Sequence, residues 1–101
     1  MIVIETSSDS KKVVTKLSKI IISNKLSPCV NISKIKSTYI WENKIVEQKE
    51  YKLSIKTVEK HKDEIAQIVK ENHNYEVFEL SQYKLNDLNS NYTKWFKGEL
   101  K

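Results

Sequence analysis

The sequence predicts an α+β domain in which two strand-helix-strand units run in succession, a ferredoxin-like βαββαβ order, followed by one more helix. Two observations carry this. Two stretches, Lys11 to Leu26 and Val58 to Asn72, space their apolar residues by three and four, the mark of amphipathic helices. The segments on either side of them are rich in β-branched and aromatic residues and alternate in polarity, the mark of strands. With right-handed crossovers that order yields a four-stranded antiparallel sheet with both long helices on one face. A long hairpin between the central strands completes the expected architecture.

Each element has its own local reason. Ile2-Val3-Ile4 opens the first strand, and Ser7-Ser8-Asp9-Ser10 supplies cap oxygens for the first helix. In that helix Val13, Val14, Leu17, Ile20 and Ile21 fall on one face, with Lys12, Lys16 and Lys19 on the other. Pro28, the only proline, closes the connection because it has no amide to donate. From Cys29 to Trp41 the apolar phase slips from even-numbered Val30 and Ile32 to odd-numbered Ile35, Tyr39 and Trp41, which predicts a bulge near Ser33-Lys34. Glu42-Asn43-Lys44 reads as a tight turn with Asn43 at positive φ. Ile45 to Thr57 returns antiparallel, with Tyr51, Leu53 and Ile55 on one face. Thr57 is the expected cap of the second helix, and His61 is placed on that helix's rim. Glu76 to Tyr83 reads as a fourth strand, Asn86-Asp87 turns the chain, and Tyr92, Trp95, Phe96 and Glu99 mark a short terminal helix that holds the only glycine, Gly98, near its end.

Composition narrows the function classes. A chain of 101 residues and 11.9 kDa fits one domain, residues 1 to 101. At that size folding buries roughly 60–68% of the unfolded surface, a single small core. With 39% hydrophobic and 31% charged residues, and no apolar run near the ~18 residues that a spanning helix needs, the chain reads as a soluble protein without a membrane segment. Met1 runs straight into a short apolar stretch without a basic leader, and the single Cys29 cannot form an internal disulfide, so a cytoplasmic location is expected. The net charge is +5, yet all 18 basic residues are lysine. Without arginine the chain lacks the bidentate fork that reads guanine edges and phosphates, so no sequence-specific nucleic-acid binding is expected.

The chemistry-bearing residues concentrate in His73-Asn-Tyr-Glu-Val-Phe-Glu-Leu80, which offers an imidazole, a phenol and two carboxylates. Two readings stand. In one, His73 and Tyr75 bond across a helix-to-strand corner while Glu76 and Glu79 pair with lysines. In the other, His73, Glu76 and Glu79, with Cys29 and Glu5, line a cleft that takes a divalent ion or a small anion, with Lys56 supplying charge. Tyr39 and Trp41 serve either as hairpin packing or as walls of such a cleft, with Lys44 beside them at the turn. A Cys29-His73 nucleophile-base pair lacks both a third orienting residue and a glycine-rich oxyanion turn, so the chain is not read as an enzyme.

The motifs Cys29-Val30-Asn31, Tyr39-Ile40-Trp41-Glu42-Asn43-Lys44, Lys56-Thr57 and His73 to Glu79 resemble, in order and spacing, those of the CutA divalent-cation-tolerance proteins. The resemblance covers nearly the whole chain. It implies a ferredoxin-like subunit, a tight homotrimer of the architecture shared with PII signalling proteins, and a role in metal-ion tolerance, copper above all, in place of catalysis. A PII-like or structural trimer that binds a small anion or a protein partner is the alternative it leaves open. The family's patterns carry glycine where this chain has Asn43, and prolines where it has Asn74 and Phe78. Copper-binding members are described with a cysteine at the end of the first strand and two histidines before the Pro-Tyr pair. The corresponding residues here are Glu5, Asn72 and His73, so one soft ligand and one imidazole are missing.

Overall fold

The computed structural model covers Met1–Lys101 and has the expected α+β order. Strand β1 spans Ile2–Ser8, helix α1 Lys11–Ser23, β2 Cys29–Trp41, β3 Lys44–Thr57, α2 Lys62–Asn72, β4 Ser81–Lys84 and α3 Ser90–Glu99, with a single 3-10 turn at Glu59–His61 ahead of α2. The sheet order is β2-β3-β1-β4, antiparallel throughout. Ile2 and Ile4 of β1 and Leu53 and Ile55 of β3 face α1 and α2, and with Val14, Leu17, Ile21, Ile65 and Val69 they form the core. No helix is long and apolar enough to cross a membrane.

Helix α1 starts where Ser10 Oγ accepts the Val13 amide at 3.2 Å. It ends three residues earlier than the apolar spacing predicts. Lys25 takes φ 55°, the Lys25 amide donates to the Ile22 carbonyl and the Leu26 amide to the Ile21 carbonyl, a Schellman closure that swings Leu26 into the core. Thr57 does not cap α2; its hydroxyl donates to the Leu26 carbonyl at 2.6 Å, and the 3-10 turn opens the helix without a side-chain cap. His61 is not on a rim. It is 6% exposed, with Nε2 3.0 Å from the Lys101 carbonyl.

The β2-β3 pairing runs unbroken from Cys29↔Lys56 to Trp41↔Lys44, so there is no bulge at Ser33-Lys34. The phase slip has another cause: different faces of one regular strand are used at its two ends. Near the base, Val30 and Ile32 pair with Ile55 and Leu53 on the helix-covered face. Toward the tip, Ile35, Ser37, Tyr39 and Trp41 share the opposite face with Glu50 and Gln48. The last rung between β1 and β3 is Ser8↔Tyr51, so the seven rungs from Ile35↔Glu50 to Trp41↔Lys44 overhang as a two-stranded ribbon.

The fourth strand is also shorter than predicted. Residues Glu76 to Leu80 are not in the sheet, and pairing begins at Glu5↔Ser81. In their place, the His73 side chain of the preceding loop takes the Ser7 carbonyl at the end of β1.

Candidate functional site

The loop after α2 is held to the end of β1 by side chains. Nε2 of His73 lies 2.9 Å from the Ser7 carbonyl, and its Nδ1 accepts the Tyr75 amide at 3.0 Å. Because a carbonyl can only accept, this pair of contacts fixes the proton on Nε2 and leaves neither nitrogen free. Burial pulls the His73 pKa below 6.5, against the opposing effect of the Ser7 carbonyl, Glu50 and Asp9, which keeps the ring neutral and Nδ1 an acceptor. Phe78 stacks on the imidazole at 4.5 Å between centroids. Asn74 accepts from Ser8 Oγ at 2.5 Å and donates to the Asp9 carboxylate at 2.8 Å. Side-chain bonds thus stand in for the ladder that a longer β4 would have formed.

From this anchored loop Tyr75 reaches across to the hairpin. Its hydroxyl accepts the Asp9 amide at 2.8 Å and donates to Glu50 Oε2 at 2.6 Å. Burial, and next to it the Glu50 carboxylate, raise the phenol's pKa far above the ordinary tyrosine value, so the proton stays on the phenol. On the hairpin side, Tyr39 donates to Gln48 Oε1 at 2.5 Å and Gln48 donates to Asp9 at 3.2 Å. A chain of polar contacts therefore runs from the ribbon through Asp9 to the loop.

Between ribbon and loop lies a cleft of about 490 Å³, on the sheet face opposite α1 and α2. Tyr39, Trp41, Tyr75 and Phe78 line it, together with Glu50, Glu76 and Glu79, and no basic side chain does. Five of the residues singled out in the sequence, Tyr39, Trp41, Tyr75, Glu76 and Glu79, thus meet here, with His73 bracing the loop from behind.

The others lie elsewhere. Glu5 is on the same sheet face but is engaged by Ser54 Oγ at 2.7 Å, Lys52 Nζ at 3.8 Å and Tyr83 at 3.4 Å. Cys29 and Lys56 pair across the strands at the hairpin's base, twelve residues along β2 from Trp41, roughly 40 Å for an extended strand. The Cys29 thiol faces Asn31 Oδ1 at 3.9 Å, and Lys56 Nζ lies 3.4 Å from the Tyr92 hydroxyl and 5.5 Å from its ring centroid. Lys44 sits at the turn. Nowhere in the chain do three His, Cys, Asp or Glu side chains gather as metal ligands. Sequence reasoning missed Glu50, Gln48 and Asp9. Nothing in their local sequence marks them, and only the register that sets Glu50 opposite Ile35 reveals that it turns toward the cleft.

The fold and the cleft define a class: a ferredoxin-like domain with an aromatic, acidic cleft between an overhanging hairpin and a braced loop. Comparison with known proteins makes the class particular. The profile of the CutA1 divalent ion tolerance protein family matches residues 1–99, and the chain belongs to that family. It is 32% identical over 101 residues to the divalent-cation tolerance protein CutA of Pyrococcus horikoshii, covering 100% of this chain and 99% of the relative. It is 38% identical over 98 residues to the chloroplastic protein CutA 1 of Oryza sativa subsp. japonica, covering 96% of this chain and 55% of that one. The crystal structure of CutA1 from Pyrococcus horikoshii superposes with a TM-score of 0.92 at 31% identity, covering 100% of this chain and 99% of that chain.

Proposed function

We propose that the chain serves divalent-cation tolerance without catalysis, as a cytoplasmic homotrimer in which oxygen ligands of the cleft hold the cation at a boundary between subunits. The observation that supports it is the lining of the cleft: Glu50, Glu76 and Glu79 with no basic side chain, in a protein whose net charge is +5. Since no chain gathers three ligands by itself, a competent site draws on more than one subunit. Glu76 and Glu79 are the first donors. Cys29 and Glu5 join only if a neighbouring chain brings them near. Copper additionally needs His73, whose Nδ1 must give up the Tyr75 amide before it can ligate. A small anion, the alternative for a PII-like trimer, would meet three carboxylates here, and like charge works against it.

Calorimetric titration with Cu²⁺ and Mn²⁺ tests this reading. The expected result is weak binding of both ions, reduced in a Glu76→Gln, Glu79→Gln double variant. Copper affinity should also drop in His73→Ala and fall as acidification passes through the lowered pKa of His73, below 6.5, and protonation removes the imidazole lone pair. Undiminished binding of both ions by the double variant would overturn it.

A further inference from the structure

We propose that the exposed face of α1, turned away from the sheet, is a docking surface for a bilayer that carries anionic lipid headgroups. The charge of this chain is unevenly placed. From Ser10 to Trp41 there are seven lysines and no aspartate or glutamate, whereas the rest of the chain sets eleven lysines against thirteen acidic residues. The net charge of +5 therefore comes from this one segment. Five of its lysines lie on or just beyond α1: Lys11, Lys12, Lys16, Lys19 and Lys25 are all exposed, and none is in an ion pair. Lys34, in step with Val30 and Ile32 on β2, turns to the same side of the sheet. The neighbouring α2 differs: its exposed face mixes Lys62 and Lys70 with Asp63, Glu64 and Glu71, and Lys62 is held by Glu59 at 3.1 Å.

This placement works against the helix that carries it. Lys11 and Lys12 occupy the first turn of α1, where free backbone amides favour acidic side chains and none is present. Lys12 and Lys16 stand four residues apart and Lys16 and Lys19 three apart, spacings at which like charges repel. A local rule broken twice, with no carboxylate in the segment to offset it, marks a face shaped by a partner. The row from Lys12 to Lys19 is about 10 Å long, close to the screening length at about 0.1 M salt, so its charges act together on an extended anionic surface. The helix holds no arginine and no aromatic ring, so it has neither the fork that reads phosphates and base edges nor the platforms on which unpaired bases stack. A headgroup layer requires neither: it attracts lysine as a point charge, and Ile22, one turn beyond Lys19 and 41% exposed, offers a shallow apolar contact.

The cleft takes no part, because it lies on the sheet face opposite α1, so this inference and the metal reading fail separately. The test measures co-sedimentation of the intact chain with vesicles of phosphatidylcholine alone and of phosphatidylcholine with about 30% phosphatidylserine. At about 0.1 M salt the chain should favour the anionic vesicles at least about fiftyfold, and at about 1 M, where screening reaches within roughly 3 Å, the preference should vanish. Each lysine near such a surface is worth roughly fivefold, so a Lys12→Gln, Lys16→Gln, Lys19→Gln variant should bind at least about thirtyfold more weakly. A Lys60→Gln, Lys70→Gln, Lys97→Gln variant removes the same charge elsewhere and should stay within about threefold of wild type. All six side chains are exposed, so both variants should fold. No preference for the anionic vesicles, or an equal loss in the two variants, would overturn the proposal. So would polyuridylate that displaces the chain from the vesicles at equal phosphate concentration, since the face would then belong to nucleic acid.

Discussion

Both ring nitrogens of His73 are engaged by its own chain, with the Ser7 carbonyl and the Tyr75 amide, and this decides how the residue responds to pH. Burial sets its folded pKa below 6.5, close to the value of the unfolded chain. On acidification the unfolded state therefore takes up the proton first. Stability that is fully present above about 6.5 is lost as pH falls from there through the folded value, and below both it is gone. Urea unfolding between pH 5 and 8 should show this loss in wild type and a flatter profile in His73→Ala. At neutral pH the same variant should be less stable by about 1–3 kcal/mol, because the Ser7 carbonyl and Tyr75 amide lose their partner. This residue also marks the limit of sequence reading: the motif identified it, but only coordinates show that its lone pair is already in use.

At the scale of elements, most of the fold was legible because its period is regular. Helix α1, the central hairpin and α3 follow from residue spacing and turn chemistry. What escaped reading depended on tertiary contact: Thr57 bonds a distant carbonyl instead of capping, and where Glu76 to Leu80 stay out of the sheet, the His73 ring takes the Ser7 carbonyl of β1 and the Tyr75 hydroxyl the Asp9 amide just beyond it. The hairpin turn shows both outcomes at once. Asn43 has φ 63° as its residue type suggests, but Glu42 also has φ 49°, the two-residue geometry that matches the twist of its strands. A non-glycine residue in that region costs about 1–2 kcal/mol. Glu42→Gly should therefore raise the melting temperature, with a gain of up to about 1 kcal/mol once the added freedom of the unfolded chain is set against the relief. Calorimetric melting of the two proteins checks it, and a fall in the transition would show that the Glu42 conformation is unstrained.

On the scale of the whole molecule, the dominant feature is a ribbon the chain cannot cover alone. The molecule measures 46 × 27 × 20 Å, and near the ribbon's tip Ile40 is 76%, Ile45 79% and Trp41 50% exposed. A two-stranded ribbon is marginal in water, and an apolar tip of this kind is a surface that calls for a partner. The same tip supplies one wall of the cleft, so assembly and ligand binding are coupled in this account. Replacing Ile40 and Ile45 by lysine should dissociate the assembly while leaving the remote core intact. It should also make the melting temperature independent of protein concentration, where the wild-type value should climb with concentration if the proposed trimer forms. The most direct test is static light scattering of the wild-type chain at micromolar concentration. A mass three times 11.9 kDa is the predicted result, and a mass of 11.9 kDa would contradict the claim that the cation site is completed between subunits.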